Sequence, residues 1–317
     1  MDLYEDFGDV ADLAEGLDDP SPGARIMAIV ELKDSADPEA IPHIARAISD
    51  GDATVRLQAA TALTDFDGPE TSAALVTALD DAVPAVREAA AVSLTELKDP
   101  EAGTPLIAAL EGAGVEKAVA LLGGLKELRR KDALGPALKA LEQSDASVRR
   151  AAVGVIGWLQ DETTLPSLLA ASADTDPSVR RIAVAAVGFS RTTHAEKLLV
   201  TALEDENWQV REAAAETMAK SGSAEAEVPL IARLEDEYWQ VRLKAVRSLA
   251  KLSITRAADR IGPLMKLDIP NLRKECAVAL GELAQEGSLP FLEPFKDDPD
   301  PDVRKNVRWA LSRIAPD

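Results

Sequence analysis

Asp205-Glu206-Asn207-Trp208-Gln209-Val210-Arg211-Glu212-Ala213-Ala214 is written a second time, with small changes, as Asp236-Glu237-Tyr238-Trp239-Gln240-Val241-Arg242-Leu243-Lys244-Ala245. The copies are 31 residues apart, and steps of 31 from Arg211 reach Arg25, Arg56, Arg87, Ala118, Arg149, Arg180, Arg242, Arg273 and Arg304. Nine of these ten positions hold arginine, and no insertion breaks the frame. A fixed period of this length is the signature of stacked supersecondary units. The chain therefore reads as ten repeats, in frame from about residue 7. We expect one domain over residues 1–317, since a stacked array has no globular size limit.

Two apolar columns run down the frame. One is Ala28, Ala59, Ala90, Leu121, Ala152, Ala183, Ala214, Ala245, Cys276 and Val307; the other, four residues on, is Leu32, Leu63, Leu94, Leu125, Ile156, Val187, Met218, Leu249, Leu280 and Leu311. A spacing of four puts both on one helical face. Earlier in each unit a matching pair recurs, as in Leu75 and Leu79, Leu106 and Leu110, Leu199 and Leu203, Leu230 and Leu234. Each repeat is thus expected to be an antiparallel helix pair, A then B. Pro22, Pro84, Pro177, Pro270 and Pro301 fall where helix B opens, a position that tolerates a missing N–H. Trp208 and Trp239 take the same place and are expected to stack along the A–B turn edge. Links such as Asp37-Pro38-Glu39 and Asp99-Pro100-Glu101 supply capping residues for the next helix A.

With 46% hydrophobic residues and only 3% aromatic ones, the core must be built from Ala, Leu, Val and Ile. A net charge of −20 opposes nucleic-acid binding across the chain as a whole. The single cysteine, Cys276, excludes an intramolecular disulfide and sits in an alanine column, where a small buried thiol is expected. The stretch Met1-Asp2-Leu3-Tyr4-Glu5-Asp6 has neither the basic start nor the apolar run of a secretory signal, and no window spans a membrane. These features point to a cytoplasmic protein.

The pattern D-x-x-x-x-[VL]-R-x-x-A, with Asp19, Asp50, Asp81, Asp174, Asp205, Asp236 and Asp298 in its first place, resembles the HEAT-like repeat of the phycobilin-lyase type. The resemblance covers essentially the whole chain and implies an all-α superhelix, a HEAT-like solenoid of about ten 31-residue helix pairs. It also implies a hydrogen-bonded ladder of the Asp and Arg columns, here Asp205 with Arg211 and Asp236 with Arg242. That family contains lyase subunits, chaperone-like factors, metal-dependent hydroxylases and plain scaffolds, so it does not choose among functions.

Repeat 4, at about 104–131, departs from the pattern. Gly112, Lys117 and Ala118 replace its Asp, Val and Arg, and Gly114, Gly123 and Gly124 lie nearby. A glycine inside a helix costs roughly 1 kcal/mol relative to alanine. A bend, a looser unit, a site or simple drift is expected there, followed by the basic Arg129-Arg130-Lys131.

On helix B, positions two, six and nine residues after the buried Val86 column point away from the core at 100° per residue. In a HEAT-like solenoid these line the concave surface. Among thirty such residues, seven are basic (Lys33, Lys126, Arg150, Arg181, Arg247, Lys274, Lys305) and three acidic (Glu88, Glu212, Glu216). Many others are small or apolar, including Leu57, Val119, Gly123, Gly154, Ala185, Gly188, Leu243, Val278 and Trp309. Such a stripe marks a binding face, or else tight packing between B helices that demands small residues. Trp158 and Phe189 end successive B helices beside Gly154, Gly157 and Gly188, near Arg150 and Arg181, and could take an apolar anchor and a carboxylate.

Catalytic groupings are missing. His43 and His194 fall on A helices and lack the His-Glu dipeptides that the family's hydroxylases use. Asp298, Asp300 and Asp302 open like a calcium loop, but Val303 and Trp309 stand where that loop needs Gly and Glu. No phosphate-cradling loop, nucleophilic triad or paired cysteine occurs. The expectation is a monomeric, non-enzymatic scaffold or accessory chaperone, without a cofactor or metal, that binds a protein or peptide. Its expected contact residues are Trp158, Phe189, Arg150, Arg181, Val119, Lys126, Arg247 and Trp309. The alternative is a lyase-like subunit holding a tetrapyrrole, its propionates on the arginines.

Overall fold

In a computed structural model of the chain, which describes residues 9–222 and 225–315, every expected helix pair is present. The expected start of the array at about residue 7, and residues 1–6, lie outside the described residues. Ten A helices run from Val10–Glu15 to Leu289–Leu292, and ten B helices from Pro22–Asp34 to Pro301–Ile314. The protein is an all-α solenoid of helix-pair repeats. Contacts divide it into two compact units, Met1–Leu159 and Gln160–Asp317.

In the first unit the B helices Pro22–Asp34, Ala53–Ala62, Pro84–Thr95, Val115–Leu128 and Ala146–Leu159 pack in sequence, each on the next. The second unit repeats this with Pro177–Ala186, Trp208–Ser221, Trp239–Lys251, Pro270–Leu283 and Pro301–Ile314. The first apolar column is buried in all ten repeats, and the second in all but the last, where Leu311 is half-buried. Cys276 is buried as expected, and burial pushes its thiol pKa upward, so it behaves as a small apolar side chain.

The helix starts follow from local chemistry. Asp52, Asp176 and Asn207 accept the N–H two residues on, at 2.8–2.9 Å, each satisfying a donor that the first turn leaves unpaired. Asp37 and Asp99 do the same for the short 3-10 turns Pro38–Ala40 and Pro100–Ala102 that lead into the A helices. Trp208 and Trp239 are the first residues of their helices. Trp208 stacks along the turn edge on Tyr238 of the next repeat, with ring centroids 5.3 Å apart.

Between B helices the spacing is set by small residues. Ser93 Oγ donates to the Ala60 carbonyl and Ser248 Oγ to that of Ala215, each reaching into the preceding B helix. A Cβ on Gly281 would lie 2.5 Å from Trp309 Cζ3 and 2.8 Å from Ala310 Cα, whereas one on Gly123 would meet only Thr95 Cγ2 at 3.9 Å. Gly281→Ala is therefore expected to destabilise by about 1–3 kcal/mol through overpacking. Gly123→Ala is expected to stabilise by up to about 1 kcal/mol through helix propensity. Paired urea denaturation curves check this; equal shifts would show that the B-helix spacing is not steric.

Candidate functional site

The site follows from the arginine column, because what that column builds in most repeats is absent in one. Arg25 sits on the first turn of its B helix. Its Nη1 donates to the carbonyls of Asp19 and Pro20 in its own turn at 2.9 and 3.2 Å, while Nε and Nη2 reach both carboxylate oxygens of Asp50, in the next repeat, at 2.8 Å each. Arg56 repeats this with Asp81, Arg180 with Asp205 and Arg211 with Asp236. Each aspartate in turn accepts an N–H of its own turn, as Asp205 does from Asn207. The ladder is thus real, but its rungs correct the expected pairing. Asp205 meets Arg211 only through its backbone carbonyl; the carboxylate belongs to Arg180. Arg242 has no acidic partner 25 residues on, where Leu267 stands. Its Nη2 lies 3.4 Å from the Glu237 carbonyl, and its buried Nε makes no hydrogen bond among the described residues.

The same defect, in a more complete form, centres on repeat 4. Where Gly112 removes the aspartate, Glu116 takes over as the acceptor for Arg87 at 3.1 Å. Where Ala118 removes the arginine, no side chain among the described residues donates to the Gly112 or Ala113 carbonyl in its place. The next repeat's aspartate is also missing, with Gln143 in its place. A cavity of about 560 Å³ opens there, lined by Leu110, Gly112, Ala113, Ala118, Gln143 and Val148 among others. Leu110, the partner of buried Leu106, is only half-buried for this reason.

Repeat 4 is otherwise well built. Its helix, Val115–Leu128, runs unbroken through Gly123 and Gly124. Gly124 is required by packing: a Cβ would come within 2.8 Å of Leu106 Cδ2 and 3.0 Å of the Leu94 carbonyl. The basic run after it is tied down. Arg130 pairs with Asp132 and donates to the Pro100 carbonyl and Thr104 Oγ1, while Arg129 lies over the Trp158 ring, 4.3 Å from its centroid.

The expected contact residues fall as follows. In the first unit Trp158 is half-buried, and its nearby cations are Arg129 and Lys126, the latter 5.5 Å from the ring centroid. Arg150 is exposed with no ion pair among the described residues, and Val119 is half-buried. In the second unit Phe189 is half-buried at the end of a 3-10 turn, Arg181 is exposed and Trp309 is 40% exposed. Arg247 is held by both oxygens of Glu275 at 2.6–2.8 Å. Lys126 and Lys274 also have carboxylate neighbours, Glu127 and Asp302. The basic surplus expected on the outward face is thus largely neutralised by residues flanking it. Its ninth-position column also turns inward late in the array, where Ala250 and Gly281 are buried.

His43 and His194 lie on A helices, and no group of three or more metal-ligating side chains occurs among the described residues. Asp298 pairs with Arg273, Asp300 caps the last helix and Asp302 lies 3.5 Å from Lys274, so the calcium-like spacing is used for structure.

A sequence model of HEAT repeats matches at residues 10–95, 44–119, 103–186, 165–228 and 227–312. No curated protein sequence matches. Among solved structures, the Escherichia coli protein YibA shares 19% identity and a TM-score of 0.52 over 90% of this chain and 94% of that one. Kap95p, from a nuclear-import structure in which it binds RanGDP, shares 14% identity with a TM-score of 0.68 over 96% of this chain and 52% of that one. Importin beta shares 13% with a TM-score of 0.60 over 96% and 51%. The chain spans about half the length of these last two. At such identities the likeness is one of fold. Among the described residues no helix is long and apolar enough to cross a membrane.

Proposed function

The chain belongs to the HEAT-repeat family, and on that premise we propose that it is a non-enzymatic scaffold or assembly factor that binds a protein or peptide along its B helices. The observation that carries this reading is one outward column of the first unit, Val30, Thr61, Val92, Gly123 and Gly154. None of the five is charged and none is buried, in a chain of net charge −20. Val92 is 61% exposed. An uncharged stripe crossing five helices on so acidic a protein fits the core of an interface, where charged residues are depleted. The rigid ladder supports such a role, since a preorganised surface avoids ordering costs on binding. Kap95p, a solenoid of the same fold, binds RanGDP in a nuclear-import setting, which accords with a partner-binding role.

The reading extends to one continuous, monomeric array in the cytoplasm, with repeats of the phycobilin-lyase type. Thr61→Glu/Val92→Glu places two charges on exposed positions without disturbing the core. A pull-down with the native protein and this variant is expected to lose the partner, with an unchanged melting temperature; undiminished recovery removes the stripe from the interface. The alternative is a tetrapyrrole-handling subunit. It draws on exposed Arg150 and Arg181, which carry no ion pair among the described residues and are open to propionates. A bilin titration without an absorbance change ends it.

A further inference from the structure

We propose that the cavity between repeats 4 and 5 is an arginine receptor, a slot for a guanidinium that the partner chain supplies because this chain does not. The proposal deepens the scaffold reading and rests on it. The template is internal. In four rungs a guanidinium sits between two turn carbonyls of its own repeat and the carboxylate of the next. At repeat 4 the corresponding carbonyls are those of Gly112 and Ala113. Among the described residues no hydrogen bond reaches either one. The arginine that would have used them is Ala118, and the carboxylate is Gln143, whose amide oxygen can still accept. The resulting space of about 560 Å³ falls in the range of ligand pockets and exceeds what one side chain needs, leaving room for the residues that flank it.

Charge and shape select the occupant. The lining carries the carboxylates of Glu111 and Asp145 against one cation, Lys139, whose exposed side chain is free to swing into solvent. Asp145 already caps the next helix through Ser147 N, at 2.8 Å. Acceptors arranged for a planar fork favour arginine over lysine, whose compact ammonium cannot span two carbonyls and an amide oxygen together. An uncharged isostere of the same shape lacks the attraction to the acidic lining.

A ¹⁵N-detected titration with the peptide acetyl-Gly-Gly-Arg-Gly-Gly-amide tests this, with lysine and citrulline peptides as controls. Saturable shifts are expected at amides within 107–119 and 139–148, and affinity about tenfold or more weaker for both controls. Ala118→Arg/Gln143→Asp rebuilds the rung internally; it is expected to melt higher than the parent and to lose the arginine peptide by about tenfold or more. Should that variant fail to fold, Gln143→Lys, at an exposed position, places a positive charge in the slot and is expected to show the same loss. No saturable shift, equal binding of the citrulline peptide, or retained binding in a folded variant would each overturn the proposal. A protein that ignores the peptide yet loses its partner with Thr61→Glu/Val92→Glu fails here and keeps the scaffold reading. One that binds the peptide but recovers no partner does the reverse.

Discussion

Asp236→Ala is expected to lower the unfolding free energy by about 3–5 kcal/mol, among the largest losses for a single ladder residue. The Arg211–Asp236 rung is one of the two most enclosed among the described residues, with side-chain exposures of 8% and 2% against 7% and 3% for Arg273–Asp298. Removing the carboxylate leaves the Arg211 guanidinium buried against a methyl group, held by the carbonyls of Asp205 and Glu206, by outlying Glu237 and by the Tyr238 ring. The Tyr238 amide loses its acceptor as well. The cost reflects an orphaned charge and is not the net worth of the pair, which continuum arguments place near zero against a well-packed apolar substitute. Glu116→Ala is the internal control. It removes the carboxylate of the Arg87 rung, but Glu116 is 69% exposed, so about 0–1 kcal/mol is expected. Urea midpoints measured at unchanged slope compare the two. Equal losses would mean that burial does not set the strength of the ladder.

The difference between those two rungs lies outside what the sequence could reveal, and the reason is geometric. The period, the apolar columns and the caps were legible because each depends on spacing along one helix, which the chain itself encodes. Ladder partners are not so determined. Asp205 and Arg211 are six residues apart, Arg180 and Asp205 are 25 apart, and six and 25 add to one period, so a periodic sequence writes both relations identically. Only the direction in which the first turn of helix B projects decides between them, and it projects to the following repeat. The cavity was half visible. Ala118 stood out in the arginine column, but its meaning needed Gln143, in the next repeat's aspartate column, and the knowledge that those two positions face one another. Glu116 was beyond reach for the same reason: it serves Arg87 from outside both columns. The basic surplus of the outward face was overstated because the counting stopped at three columns. Glu275, one residue from Lys274 in the chain, carries the charge that holds Arg247.

Acid should dismantle the ladder before it affects the apolar columns. Asp50 and Asp81 are held below the ordinary carboxylate value of 3.8 chiefly by hydrogen bonds from Arg25 and Arg56. For Asp205 and Asp236 burial is the largest influence and acts upward, but Arg180 and Arg211, with the N–H groups of Asn207 and Tyr238, carry the net shift downward. A carboxylate that is harder to protonate when folded than when unfolded makes the unfolded state the better proton binder. Its stabilising contribution is therefore complete above the unfolded value and is lost as pH falls through the folded one. Urea denaturation across a pH series is expected to give a contribution from these four residues that is constant above about pH 5 and declines from about pH 4 downward, steepening as the rungs protonate together. Arg211→Gln supplies the decisive contrast. With its guanidinium gone, burial acts upward on Asp236 against only the Tyr238 N–H and Arg233, so its pKa rises from its value in the parent and the ionised form is less well tolerated. The variant should be less stable than the parent at neutral pH, and the gap between them should narrow as the pH falls. A gap of constant size from neutral to acid conditions would show that the Asp236 carboxylate is not held by Arg211 through its charge.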